Sequence, residues 1–119
     1  MEPSSPTITK DDLAAQTHSH INSYRTSKGL SALRYSETIA GIALTHSQNM
    51  AAGAVPFSHD GFSERAEVIA GSMTITAAAE NVAWNRGYDD PVKTAVDGWI
   101  DSPGHLANIV SDYNTTGIG

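Results

Sequence analysis

The sequence contains no cysteine among its 119 residues and few basic residues. Without cysteine, a disulfide framework, thiolate catalysis and every cysteine-ligated zinc or iron–sulfur site are excluded. Seven Lys and Arg stand against 13 Asp and Glu, which gives a formal net charge of -6, and no stretch concentrates the positive charge. The sequence therefore predicts neither nucleic-acid binding nor attachment to an anionic membrane surface.

Long apolar runs are also missing. No run approaches the ~20 residues that a membrane-spanning helix requires, so no integral membrane segment is predicted. Residues 1–8 are rich in Pro and Ser and lack the basic and apolar regions of a signal peptide. We interpret 1–8 as a disordered linker and 9–119 as one domain, which suits the length of the chain.

Helix-start signals divide this domain. Thr9, Ser36 and the pair Asp90-Pro91 precede apolar stretches of helical period, and Gly29 and Gly53 are typical helix ends. They predict helices over about 10–28 and 37–53 and from residue 91 onward.

Weaker signals fill the remaining segments. A short helix is predicted from Asp60 or Ser63 to about Ala70, stopped by Gly71, and a last helix over 105–110. We interpret 74–85 as strand or extended chain, because it is rich in Thr, Ile, Val and Ala without helical period. Residues 113–119 are predicted to be a turn that enters a strand. The chain is thus predicted to be an α+β protein, mostly helical.

The usual catalytic motifs are absent: there is no His-Glu-x-x-His, no Gly-x-Ser-x-Gly and no glycine-rich phosphate loop. His18 and His20 are predicted to point about 200° apart on their helix, so they cannot chelate one ion, and both are expected to be solvated. His46 lies on the apolar face of the second helix and is predicted to be a core histidine bonded to a backbone carbonyl.

Three residues remain as candidates for a site. Glu80 lies in an apolar segment, 77–84, where a carboxylate needs a partner. His59 and His105 each follow a turn beside small residues and are candidate partners. Asn81 is expected to fix the turn after Glu80 through its side-chain amide.

Four blocks in this order resemble the bacterial branch of the CAP superfamily, whose SCP domains include cysteine-rich secretory, venom-allergen and plant pathogenesis-related proteins. The blocks are ALTHSQNM at 43–50, FSH at 57–59, AENVA at 79–83 and WIDSPGHLANI at 99–109. The closing Gly-Ile-Gly at 117–119 is similar to the start of the family's last motif. The similarity extends from about residue 10 to the end.

The resemblance implies a three-layer α-β-α sandwich with a small, mainly antiparallel sheet. Members usually continue past Gly-Ile-Gly into further strands, so the sheet is expected to lack its last strands here. An open edge could then be filled by a second copy of the chain, giving a dimer. The resemblance also implies an extracellular or cell-envelope location.

The same resemblance implies a cleft in which His59, Glu80 and His105 converge. The expected supporting residues are Arg65, Asn81, Asp101 and Ser102. Many eukaryotic members have a second glutamate at the position of Ser102, and this replacement leaves the acidic set incomplete. Arg65 is expected to pair with Glu64 or Asp60, or to hold the cleft wall.

Three functions follow from these observations. A fourth, a metal-free enzyme with Glu80 and a histidine as acid–base pair or with Ser58 or Ser102 as nucleophile, is disfavoured because neither serine lies in a recognisable nucleophile elbow. The favoured hypothesis is a secreted ligand-binding or interaction module without catalysis, its partner a small molecule, lipid or protein. The second is a zinc site on His59, Glu80 and His105, with a bound water for hydrolysis; Glu64, Glu67 or Asp101 could serve as base. The third is lipid or sterol binding in a groove beside the cleft. Its candidate wall consists of Phe57, Phe62, Trp84 and Trp99, for which core packing is the favoured interpretation.

Overall fold

The computed structural model describes residues 9–119, apart from the side chain of Lys10; the predicted linker over 1–8 lies outside the described residues. In chain order the elements are α1 (Lys10–Ser27), β1 (Arg34–Tyr35), α2 (Glu37–Ala51), α3 (Phe62–Ser72), α4 (Pro91–Ile100), α5 (Pro103–Val110) and β2 (Thr115–Thr116). None of these helices is both long and apolar enough to cross a membrane.

The predicted helix starts are confirmed by their capping hydrogen bonds. Thr9 and Asp12 form a reciprocal capping box at the start of α1. The Ser36 side chain accepts from the backbone N–H of Ile39 in α2, and Asp90 caps α4 with Pro91 in its first turn. Each cap satisfies backbone donors that the first helical turn leaves free.

Helices α1, α4 and α5 pack together around the hydrophobic core. Its buried members are Ile21, Leu33, Val92, Val96 and Ile109. Helices α2 and α3 pack against each other as a second group.

The end of the chain lies between these two helical groups. Gly117 and Gly119 face α2 so closely that a Cβ on either would overlap the α2 backbone. Ile118, between them, packs against the core of the first group. Because successive residues of an extended chain face opposite sides, the segment separates two helical layers. The α+β class and the sandwich architecture are therefore confirmed.

The strand direction differs from the expectation. Among the described residues, β1 and β2 form a two-stranded sheet, and they are parallel, with Arg34 opposite Thr115 and Tyr35 opposite Thr116. The resemblance implied a mainly antiparallel sheet. These two strands are parallel because α2 to α5 intervene between them, and a long crossover of this kind permits parallel pairing.

The segment over 74–85 is neither helix nor strand in the described part of the chain, and it has a bend at Thr76. Side chains take the place of a neighbouring strand. Asn108 donates to the Glu80 carbonyl over 3.3 Å, and the Trp99 indole donates to the Val82 carbonyl over 3.0 Å. The strand that the pattern allowed is not formed, and the pattern cannot show which partner satisfies the backbone of this segment.

The third helix was predicted with the wrong ends. It begins after Gly61, which adopts φ +82°, and it continues through Gly71 to Ser72. A glycine inside a helix costs only about 1 kcal/mol relative to alanine, so Gly71 does not end it. Met73, in an extended conformation, does.

The connection from α1 to β1 depends on polar side chains of α1. Asn22 donates to the Leu33 carbonyl and accepts from the Leu33 N–H, at 3.1 and 2.7 Å. His18 contacts the same carbonyl at 3.0 Å and packs against the Tyr35 ring. The expectation that His18 is solvated was therefore wrong, whereas His20 is exposed as expected.

Candidate functional site

The candidate site lies where three segments meet. His59 belongs to the loop between α2 and α3, Arg65 to the first turns of α3, and Glu80 to the 74–85 segment that follows α3. Helix α5 contributes Asn108 to the same place. Because side chains of α4 and α5 are hydrogen-bonded to the backbone of the 74–85 segment, the Glu80 side chain is fixed beside α3.

Glu80 is the centre of this cluster. Its carboxylate accepts from Arg65 Nε and Nη2 at 2.8 Å each, and His59 Nδ1 lies 2.8 Å from Oε2. The side chains of Glu80 and Arg65 are 18% and 15% exposed, whereas that of His59 is 51% exposed. The two-pronged contact is the geometry that arginine favours with carboxylates.

The environment of Glu80 favours its ionised form. Burial alone raises the pKa of this carboxyl, but hydrogen bonds from Arg65 and His59, together with the positive charge of Arg65, oppose burial and prevail. The pKa of Glu80 consequently lies below its ordinary value of 4.5.

Arg65 is surrounded by acceptors. Besides Glu80, its guanidinium contacts the carbonyls of Asp60 and His59 and the Nδ1 atom of His46, at 2.8, 3.3 and 3.2 Å. These contacts engage all five N–H groups of the guanidinium. The ion pair is therefore fixed in position by the loop before α3 as well as by the carboxylate.

His46 is buried, as expected, and its Nε2 lies 2.9 Å from the Ser58 carbonyl. Arginine only donates, so Nδ1 of His46 accepts from Arg65. The proton of the ring is then on Nε2, where it is donated to Ser58. The predicted bond from the core histidine to a backbone carbonyl is confirmed.

His105 is linked to Glu80 by a chain of amides. The Asn81 amide nitrogen donates to the His105 carbonyl over 3.2 Å, and Asn108 donates to Asn81 Oδ1 over 2.8 Å. The His105 ring contacts Ser102, with Nδ1 2.9 Å from Oγ. Asp101 is exposed at the end of α4. The structure thus brings His59, Arg65 and Glu80 into direct contact. His105 is connected to them only through its backbone carbonyl, by way of Asn81 and Asn108, and its ring contacts Ser102 instead.

Sequence reasoning named Arg65 as a supporting residue of the cleft but not as the partner of Glu80, and it missed Asn108. It paired Glu80 with histidines and gave Arg65 other partners, namely Glu64 and Asp60, whereas the Arg65 side chain binds Glu80 and only the backbone carbonyl of Asp60. Asn108 was not selected at all, although it follows His105 by three residues and so shares its helix face.

A hollow of about 260 Å³ opens on this cluster. It is lined by His59, Phe62, Ala79, Glu80 and Asn108. Of the other aromatic residues considered for a groove, Trp99 is half-buried against the core, while Phe57 and Trp84 are exposed. The prediction of core packing is therefore wrong for Phe57 and Trp84.

The cluster does not suit zinc. Both oxygens of Glu80 are occupied by Arg65, and one of them also by His59. Over residues 9–119, no three His, Asp or Glu side chains are grouped so that they could hold a metal ion. An arginine cation stands beside the carboxylate where a metal cation would have to bind.

Comparison with known proteins places the chain among its relatives. The profile of the CAP family, described as the cysteine-rich secretory protein family, matches residues 18–119. The uncharacterised membrane protein YlbC of Bacillus subtilis is 34% identical over 104 residues, which are 82% of this chain and 28% of that protein.

Two solved structures are similar. An extracellular SCP-domain protein from Bacillus anthracis is 25% identical with a TM-score of 0.73, covering 97% of this chain and 42% of that one. A cysteine-rich secretory protein from Staphylococcus aureus is 23% identical with a TM-score of 0.70, covering 96% of this chain and 37% of that one. The chain spans less than half the length of each of these three relatives. With the family profile matched over most of its residues, the chain belongs to the CAP family and to its bacterial branch.

Proposed function

We propose that this domain is a non-catalytic ligand-binding module that acts outside the cytoplasm, with the hollow at His59 and Glu80 as its binding site. One observation carries the proposal: a histidine with half of its side chain exposed is held by a carboxylate at the mouth of a hollow. An exposed imidazole loses side-chain freedom when it is fixed in this way, and preorganisation of this kind favours ligand binding.

A binding role accounts for the polar groups better than catalysis does. In the described part of the chain, the hydroxyl of Ser58 contacts its own loop, namely the Pro56 carbonyl and the Asp60 N–H. The Ser102 hydroxyl contacts His105, but among residues 9–119 no carboxylate is hydrogen-bonded to that ring to orient it as in a nucleophile–base–acid arrangement. Secretion is supported by the extracellular SCP-domain relative.

The test is a fragment screen by NMR on the ¹⁵N-labelled chain, with mass spectrometry of the recovered fragments. We expect the perturbed signals to cluster at residues 59, 62, 79, 80 and 108, and the fragments to be recovered unchanged. Perturbations confined to other residues would refute the site. Conversion of a fragment that His59→Ala abolishes would refute the non-catalytic role.

Zinc provides a control for the alternative function. Isothermal titration should give the same heat for the unmodified chain and for the double variant His59→Ala/His105→Ala. A heat that the double variant loses would restore the metal hypothesis.

A further inference from the structure

The side-chain donors of the cluster are consumed within the protein. All five N–H groups of Arg65 have acceptors. The two N–H groups of the Asn108 amide point to the Glu80 carbonyl and to Asn81 Oδ1. Arg65 and Asn108 therefore have no N–H donor left for a ligand in the hollow.

The neutral form of His59 adds an acceptor. An ionised carboxylate only accepts, so the Nδ1 atom beside Glu80 carries the ring proton. Nε2 then has a free lone pair. It has no hydrogen-bond partner among the described residues, and the side chain is half exposed.

Asn108 adds a second acceptor, and its orientation is fixed by the chain of amides. The His105 carbonyl requires the nitrogen of Asn81, so the oxygen of Asn81 faces the nitrogen of Asn108. The oxygen of Asn108 is left without a partner in the described chain. Because no buried side-chain polar atom of the described residues lacks a partner, this oxygen is open to solvent.

The other residues that line the hollow indicate what charge and what apolar surface a ligand should have. Among the described residues, the lining includes one carboxylate, Glu80, whose charge is paired with Arg65, while Phe62 and Ala79 supply apolar surface. The chain as a whole carries a net charge of -6. Because the charge of Glu80 is already paired with Arg65, the two free acceptors select a ligand that donates hydrogen bonds. The negative net charge of the chain favours a cation over an anion among such ligands.

We propose that the hollow binds a primary ammonium group attached to a small apolar body, with His59 Nε2 and Asn108 Oδ1 as acceptors and Phe62 beside the apolar part. This inference rests on the proposed binding function and specifies its ligand class. An acceptor that a bound ligand screens from water without donating to it is costly, so the hollow discriminates against ligands that cannot donate.

The experiment compares three probes of similar shape at about pH 8. Benzylamine offers charge and N–H donors, benzyltrimethylammonium offers the charge alone, and benzoate offers neither. Chemical shifts of residues 59, 62 and 108 report binding at the hollow. The same sample yields the tautomer of His59 from long-range ¹H–¹⁵N spectra.

We expect benzylamine to bind about tenfold more tightly than benzyltrimethylammonium, and benzoate not to bind. His59→Phe should abolish the difference, while Glu67→Phe, on an exposed position of α3, should retain it. Equal binding of the two cations, no binding of benzylamine, or a proton on Nε2 of neutral His59 would overturn the ligand class. If benzoate or other fragments bind at these residues instead, the binding site survives and only its polarity is wrong; if no fragment does, the proposed function fails as well.

Discussion

At the scale of the residue, one arginine determines what the site can do. The family resemblance would lead one to expect a metal cation beside Glu80. Arg65 supplies the positive charge instead, and it donates hydrogen bonds to both oxygens of the carboxylate. Glu80 is consequently a structural anion that fixes His59 and Arg65. A carboxylate in this role contributes to stability and orients its neighbours, and it has little capacity left to bind an external cation by itself.

Replacing Glu80 with glutamine tests this role. The variant leaves a largely buried guanidinium without its counter-charge, so the free energy of unfolding should fall by about 2–3 kcal/mol at neutral pH. Urea denaturation measures the loss. Glu67→Gln removes an exposed carboxylate from the same helix and should change stability by less than about 0.5 kcal/mol; equal effects of the two variants would contradict the assignment.

The stability difference between the unmodified chain and Glu80→Gln should depend on pH. The pKa of Glu80 is lower in the folded chain than its ordinary value of 4.5, so its contribution is complete above that value. It is lost as pH falls through the lower folded pKa. The stability difference between the unmodified chain and Glu80→Gln should therefore narrow as the pH falls below about 4.5. A difference that widens with acid would mean that the carboxyl is favoured in its protonated form.

At the scale of the element, backbone carbonyls and close backbone contacts join the helices. Arg25 of α1 is 3% exposed, and in the described residues its guanidinium meets carbonyls rather than a carboxylate. The carbonyls of Ile109 and Ser111 lie 2.8 and 2.9 Å from Nη1, at the C-terminal end of α5. A cation placed there satisfies helix-end acceptors and matches the helix dipole.

Arg25→Lys should separate charge from geometry. Lysine keeps the positive charge, but its single ammonium group lacks the planar fork with which arginine reaches the carbonyls of both Ser31 and α5. We therefore expect the free energy of unfolding to fall by about 2–3 kcal/mol. Arg34→Lys, at an exposed position of β1, serves as the control and should be nearly neutral. A lysine at 25 that retains full stability would show that charge alone is sufficient.

The layer contact between the C-terminal segment and α2 depends on glycine. A Cβ at position 117 would overlap the backbone of Ile39 and Ala40, whereas a Cβ at Gly98 in α4 would meet open space. Gly117→Ala should therefore lower the melting temperature, and Gly98→Ala should raise stability by roughly 0.5–1 kcal/mol through helix propensity. Thermal unfolding of both variants measures this, and a neutral Gly117→Ala would mean that the two backbones are farther apart.

At the scale of the whole molecule, the two helical layers are unequally buried. Helices α1, α4 and α5 contain the core, whereas α3 has no buried residue among its 11 residues. It packs against α2 and is ion-paired to Glu80 through Arg65. Local opening costs least where few apolar contacts are lost. The hollow at His59 and Glu80 is thus bounded on one side by the least buried helix.

Hydrogen exchange should resolve this difference. We expect amides of α3 to exchange at least about tenfold faster than those of α4. Glu80→Gln should accelerate α3 further and leave α4 close to its original rate. Equal protection of the two helices would show that the layers open as one unit.

The sequence by itself determined the helices and the family. Thr9, Ser36 and Asp90 predict where helices begin because a cap is a local interaction within four residues. The four motif blocks indicate the sandwich and select His59, Glu80 and His105 as candidates. Only the tertiary structure decided three contacts. Arg65 binds Glu80, Asn108 donates to the backbone of the 74–85 segment, and Arg25 donates to carbonyls at the end of α5. These contacts join residues from 15 to more than 80 positions apart, and such pairings depend on how the layers pack, which no local pattern encodes.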